Sequence, residues 1–532
     1  MRSRGVRTAV VAVAGMLVLA ACGTTEVLVT TERADQIRSV EPTTTDPTDP
    51  DDPTTTDPAD PDDPSTTDPS RNTPLDPIDP VDPMGDPEVP DIDPTAVDPD
   101  AIDFGDNKPG RPYDDFLLAS LADIDAWLQA EYEPVFGEPY VPLEGKVWAG
   151  YPERSGQIPG CGEPVTSYDD LQQFVAFYCP LGDFIVYDDG ETGLLAQLAN
   201  DFGAATIGIV LAHEYGHAIQ ARTGALQLNL PTVATEQQAD CIAGAWAGRA
   251  ADGLAAGVPF TDDDSRAGLI AMIRVQDPVG IDPTEAGGHG SGFDRVGAFA
   301  VGFQEGLVRC ERLIDEPLPL TPLQFLSEED ILSGGNADFG FGENELFGFL
   351  VPDLNLLFDN DLQSQFPNFT QLELVAVQSL SDVDCDSPFG LFELGAELCS
   401  ATNTVYLNEP VARQRYEEFG DFAPGYLLGV MWAEHAQITN DSPLRGEDRQ
   451  LQNDCLVGAW VQTVIPDPDT GALPTPRDPN RTALVSPTDL TEAIETVIVI
   501  GDPSRSTDLL GSPFETTAAF HRGALGGIGA CG

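Results

Sequence analysis

What most limits how this chain can fold is a repetition inside it. Asp240-Cys241-Ile242-Ala243-Gly244-Ala245-Trp246 is answered by Asp454-Cys455-Leu456-Val457-Gly458-Ala459-Trp460. A second match runs without a gap from Gly290-Ser291-Gly292-Phe293-Asp294 to Cys310, and from Gly511-Ser512-Pro513-Phe514-Glu515 to Cys531. Upstream, Cys179 followed by Val186-Tyr187 corresponds to Cys399 followed by Val405-Tyr406, and Cys161 corresponds to Cys385. Stretches written on one plan form the same supersecondary unit. Residues 113–320 and 339–532 are therefore expected to be two tandem homologous domains, with a connector over 321–338.

The cysteines follow the repeat. Of nine in the chain, Cys22 stands alone near the start and each copy holds four. No CxxC pair is present, so disulfides are favoured over a cysteine zinc cluster. The economical pairing joins Cys161 with Cys179, Cys241 with Cys310, Cys385 with Cys399 and Cys455 with Cys531. Four cysteines allow three connectivities, and the pattern alone does not choose among them.

Bridges of this kind persist outside the reducing cytoplasm, and the N-terminus agrees. Arg2, Arg4 and Arg7 precede an apolar run from Thr8 to Ala21 that is too short to span a bilayer. It ends in Leu19-Ala20-Ala21-Cys22-Gly23, which resembles the lipobox of bacterial lipoproteins. The resemblance implies a signal peptide over 1–22, lipidation of Cys22, and an extracytoplasmic protein held to the membrane by its lipid. Residues 23–112 are linker-like: between 41 and 100 there are 16 Pro, 17 Asp and 2 Glu against one Arg. Such a tract buries too little apolar surface to fold. As a disordered, self-repelling stalk its ~90 residues reach on the order of 250 Å. The formal charge of the whole chain, −64, argues against a grip on nucleic acid or on anionic lipid through charge.

Helical apolar spacing marks 114–130, 195–222, 235–251, 264–275 and 292–313, and Asp-Phe-Ile-Val-Tyr-Asp at 183–188 reads as a short strand. The expected class is α+β, predominantly helical. As an edge, that strand could pair with an extended substrate.

The long helix carries His213-Glu214-Tyr215-Gly216-His217, an HExxH motif. Four-residue spacing sets two imidazoles one turn apart on one face, suited to a single zinc ion, with Glu214 beside it to act on a bound water. A third protein ligand is needed, and Glu236 is the candidate. Asp240, one turn on, can accept the outer N–H of a ligand histidine. This is the arrangement of thermolysin-like zincins with a glutamate ligand.

Taken in order, Phe177-Tyr178-Cys179-Pro180 with Val186-Tyr187, Ala212 to His217, Glu236 to Cys241, and His289-Gly290-Ser291 with Arg295-Val296 resemble the bacterial putative neutral zinc metallopeptidase family. The resemblance covers about 113–312. It implies a zinc-dependent peptidase with His213, His217 and Glu236 as ligands and Glu214 as catalytic acid/base. Ala218 departs from it where the family often has another histidine, a position that is not a ligand. His289, in a Gly-rich loop before a helix, is a candidate donor to the oxyanion of a tetrahedral intermediate.

The second copy retains none of this. Three registers can be drawn for its long helix, matching Gln220 to Gln437, His217 to His435, or Glu214 to Glu434. In the first, His213, Glu214, His217 and Glu236 become Val430, Met431, Glu434 and Gln450, and His289 becomes Leu510. One zinc ion, in the first copy only, is expected, and 339–532 reads as a pseudoenzyme domain with His435 and His521 as ordinary polar residues. The leading expectation is a membrane-anchored peptidase acting on a peptide or protein. The alternative is a surface adaptor whose second domain recruits a protein partner while proteolysis is minor or absent.

Overall fold

The structure is a computed structural model describing residues 21–23 and 101–531, except 156, 163–166, 172–173, 229, 278–287, 322–324, 326–331, 386–388, 392–393, 467–471, 476 and 501–512. The signal segment before Ala21, the acidic linker from Thr24 to Asp100, and Leu510 to Ser512 lie outside the described residues. Among those described, no helix is long and apolar enough to cross a membrane.

The first half contributes strands β1 (Ala21–Gly23), β2 (Ile102–Asp103), β3 (Val147–Gly150), β4 (Phe174–Cys179) and β5 (Phe184–Asp188). Its helices are α1 (Asp114–Phe136), α2 (Tyr168–Leu171), α3 (Leu194–Phe202), α4 (Ala205–Thr223), α5 (Thr232–Ala251), α6 (Asp262–Arg274), α7 (Gly292–Glu305) and α8 (Leu307–Arg312). The strands form one sheet in the order β1-β4-β5-β3-β2. The strand expected at 183–188 is β5, and it is not an edge. It pairs in parallel with β3 and antiparallel with β4, Phe177 facing Val186, so both rows of its backbone groups are occupied and no substrate strand can add there. Its uninterrupted apolar run is the pattern of a strand covered on both faces, and every residue of it is buried.

Two expected helices are broken, each at a glycine in a backbone conformation that side chains disfavour. The run 195–222 divides into α3 and α4 at Gly203, with φ 89°, and 292–313 divides into α7 and α8 at Gly306, with φ 72°. Helix α4 is apolar nearly all round and buried over most of its length, the sign of a helix at the centre of its domain.

The second half has α9 (Leu346–Leu356), β6 (Glu373–Val377), β7 (Phe389–Leu391), β8 (Ala396–Cys399), β9 (Thr404–Asn408), α10 (Glu409–Phe419), α11 (Phe422–Thr439), α12 (Gly446–Gln462), α13 (Asp489–Ile500) and α14 (Pro513–Gly526). Its sheet runs β6-β9-β8-β7. The class is α+β with helix dominant.

Particular contacts recur in the two halves. A Cβ placed on Gly244 would meet the Phe299 carbonyl oxygen at 1.9 Å, and one on Gly302 the Cys241 oxygen at 1.8 Å, so α5 and α7 cross backbone to backbone. On α12 and α14, Gly458 meets Phe520 O and Gly523 meets Cys455 O, both at 2.0 Å. Trp246 Nε1 donates to Asp123 at 3.1 Å, and Trp460 Nε1 to Asp353 at 3.0 Å. Disulfides join Cys161 to Cys179, Cys241 to Cys310, Cys385 to Cys399 and Cys455 to Cys531.

The halves are not separate bodies. One apolar core holds residues from both. Phe303 stacks on Phe514 with ring centroids 3.8 Å apart, and Phe293 stacks on His521 at 4.0 Å. His521 Nε2 donates to the Phe293 carbonyl at 2.9 Å, and burial lowers its pKa to about 4, so a neutral imidazole serves as core filling there.

Candidate metal centre

Helices α4 and α5 build the centre, and a glycine sets their distance. A Cβ on Gly216, inside the HExxH motif, would lie 2.8 Å from the Ala239 Cα. Without one, α5 comes close enough for Glu236 to reach the histidines one turn apart on α4. His213 Nε2 is 3.1 Å from His217 Nε2 and 3.4 Å from Glu236 Oε2, and His217 Nε2 is 3.5 Å from Glu236 Oε1. Glu214, on the same helix, is fully buried beside them.

The surroundings fix which ring nitrogens carry hydrogen. His213 Nδ1 lies 2.8 Å from Asp240 Oδ1, an oxygen that can only accept. His217 Nδ1 lies 3.0 Å from Gln220 Oε1, and that amide is oriented by its Nε2, which donates to the Thr235 carbonyl at 2.6 Å. Both Nδ1 atoms are therefore donors, and both Nε2 atoms present lone pairs. Two lone pairs and a carboxylate facing one another within 3.5 Å repel unless a cation lies among them. Among the described residues, neither Glu236 oxygen accepts a hydrogen bond of ordinary geometry. Ligands of a tetrahedral zinc ion at ~2.0–2.1 Å are ~3.3 Å from each other. The residues present thus fit zinc in donor type, number and spacing.

Burial alone would raise the pKa of Glu236, but the imidazoles of His217, His213 and His289, whenever they carry a proton in place of a cation among them, outweigh it and hold the carboxyl below its ordinary range. Asp240 is also lowered against its own burial, chiefly by Arg295. That guanidinium donates to both Asp240 oxygens, from Nε at 2.9 Å and Nη2 at 2.7 Å, and its Nη1 donates to the Val275 carbonyl at 2.6 Å.

His289 is brought into electrostatic reach of Glu236 from the loop before α7. Asp277 holds that loop: its Oδ2 accepts from the backbone N–H of His289 at 2.6 Å and of Gly290 at 2.8 Å, and its Oδ1 faces His289 Nδ1 at 3.1 Å. Asp277 was not singled out by the sequence, and Gln220 entered only as a register match and Gly216 only as part of HExxH, because each acts through a partner that only the fold supplies. Arg295 was visible as part of a motif, without its role.

The corresponding place in the second half is closed by protein. Gln437 Nε2 donates to the Arg449 carbonyl at 3.1 Å, as Gln220 does to that of Thr235, which favours the register matching these two glutamines. Glu434, the counterpart of His217, is held by Arg449 at 2.9 Å and by Asn453 Nδ2 at 2.9 Å. His435 is buried, with Ser400 Oγ at 2.8 Å from Nδ1 and Thr370 Oγ1 at 2.9 Å from Nε2.

Comparison with known proteins adds a family and little more. Two curated proteins, one of Mycobacterium bovis and one of Mycobacterium tuberculosis and both named uncharacterized, are 34% identical to the chain over 174 residues, covering 29% of this chain and 57% of theirs. The chain thus spans somewhat over half the length of these relatives. No solved structure matches it. Residues 170–312, the segment that holds His213, Glu214, His217, Glu236 and His289, match the family described as putative neutral zinc metallopeptidase.

Proposed function

We propose that the protein is a zinc-dependent peptidase whose single ion is held by His213, His217 and Glu236 in the first half only. The observation that carries this reading is the convergence of three buried acceptors, two imidazole lone pairs and a carboxylate, with no donor among them. When bound, zinc would supply Lewis-acid polarisation and an acidified water. With zinc in place, Glu214 would be the residue to accept a proton from a water held there and to pass it to the leaving amine, work suited to a carboxylate shielded from bulk solvent. His289, steadied by Asp277, donates to the oxyanion as it forms. Asp240 and Gln220 keep the ligand imidazoles in the tautomer that presents Nε2.

The lipobox-like sequence at Cys22, the acidic linker and four disulfides support an enzyme tethered outside the cytoplasm by lipid, its folded part standing off the membrane. The substrate class is peptide or protein. We read the second half as a degenerate copy. Its kept packing residues and missing ligands also support the adaptor reading, in which this half recruits a protein partner.

Elemental analysis and a paired activity assay test the proposal. The purified full chain should carry one zinc per molecule, and Glu214→Gln should carry the same zinc while losing peptide hydrolysis. A wild type without zinc, or a Glu214→Gln variant that cleaves as wild type does, defeats it.

A further inference from the structure

The amide of Gln220 ties two elements of the centre together at once. It lies one turn beyond His217 on α4 and is fully buried. Its Oε1 is 3.0 Å from His217 Nδ1, and its Nε2 donates to the carbonyl of Thr235, the residue before Glu236 on α5. We propose that Gln220 is a positioning residue that sets the tautomer and ring orientation of His217 and couples them to the placement of Glu236. This rests on the zinc reading above.

The amide cannot serve reversed. Turned over, Nε2–H would face His217 and Oε1 would face the Thr235 carbonyl, leaving acceptor against acceptor in a buried place. With Nε2 committed to Thr235, the oxygen must face the ring, and the ring must offer Nδ1–H. His217 Nε2 is left as a lone pair directed to the ligand cluster. A carboxylate does the same for His213 through Asp240, so the two histidines are held by different groups.

The second half supplies a contrast within the same molecule. Gln437 keeps the bond to the carbonyl before Gln450, donating to Arg449 O at 3.1 Å. No histidine is there to be held, and Oε1 of Gln437 instead accepts from Ser442 Oγ at 2.9 Å. The amide-to-carbonyl tie is therefore a helix-joining device present in both halves, and the hold on an imidazole belongs to the first half alone. Substitution can separate the two parts.

The test uses the full-length protein and zinc alone, with zinc affinity read by competition against a chromophoric chelator and metal-free stability read by thermal unfolding in excess chelator. Gln220→Met removes both bonds at similar volume and should weaken zinc binding ~10- to 100-fold, the usual effect of losing such a support. Gln220→Glu keeps an acceptor for His217 Nδ1–H and loses the donor to Thr235, so its zinc affinity should stay within several-fold of wild type while metal-free stability falls. Gln437→Met should lower metal-free stability and leave zinc affinity unchanged. Should Gln220→Met fail to fold, the Gln220→Glu and Gln437→Met pair still decides. Wild-type zinc affinity in Gln220→Met, or an affinity lost in Gln220→Glu in step with its stability, overturns the proposal while leaving the zinc peptidase standing. A wild type that binds no zinc overturns both.

Discussion

Arg295 donates two hydrogen bonds to Asp240, while Asp454, in the same place of the repeated motif, is held among the described residues by Tyr426 Oη and by Gln450 Nε2 at 3.2 Å. Both carboxyls are buried, yet their protonation is driven in opposite directions. Arg295 and His213 keep Asp240 ionised, whereas burial pushes Asp454 up to about 7.

Removing the guanidinium would strand a buried charge. Arg295→Met should destabilise the metal-free protein by about 3–5 kcal/mol, since breaking one side of a buried pair leaves the other uncompensated. Urea unfolding with chelator present measures it. A loss below ~1 kcal/mol would show that the pair does not hold α5 to α7.

Asp454 predicts a pH dependence with a definite sign. An unfolded aspartic acid titrates near ~3.9, so a folded value of about 7 means that the native state binds the proton more tightly. The stabilising contribution is complete below the unfolded value and is lost as pH rises towards 7. Glu495 and Asp294, each pushed up to about 6 chiefly by burial, act in the same direction. The difference between wild type and Asp454→Asn isolates one group: wild type should lose up to about 4 kcal/mol relative to the variant between pH 4 and 7. Parallel stability curves would contradict the assignment.

His289→Leu introduces the residue that the repeat places opposite it, Leu510. Turnover of a peptide should fall on the order of 100-fold, with KM changed little and zinc content unchanged. Asp277→Asn, which keeps an acceptor but removes the carboxylate facing Nδ1, should fall between it and wild type. Loss of zinc in His289→Leu would instead make this residue part of the metal's support.

The bridge between Cys455 and Cys531 closes 76 residues, and opening a loop of that size costs ~4 kcal/mol. Replacing both cysteines by alanine should lower the unfolding midpoint of the whole protein in one transition, because the two halves share a core. Separate transitions for the halves, followed by calorimetry, would contradict a common core.

What could be read from the sequence was whatever repeats at short range. The spacing of His213 and His217 placed two rings on one helix face, and the recurrence of Asp-Cys-x-x-Gly-Ala-Trp located the cysteines that the structure joins. The strand at 183–188 was recognisable as a strand, but its central position was not, since β3 and β4 pair with it from distant segments. The break at Gly203 was hidden by apolar residues on both sides that continue a helical pattern. Asp277 and Gln220 are single polar residues in unremarkable surroundings, and their meaning lies in atoms contributed by other helices. The joining of the halves depended on Phe293, Phe303, Phe514 and His521, whose periodicity marks a buried helix face without saying what covers it.

The stacking of Phe303 on Phe514 and of Phe293 on His521 makes each half a wall of the other's interior. A message cut short before α14 would therefore yield more than a first half lacking an appendage. It would yield a chain with a bare aromatic strip along α7, the helix next to the His289 loop, of the kind that cellular quality control seizes and that self-associates. The packing of the first half therefore depends on the shape of the second, whatever chemistry the second half has.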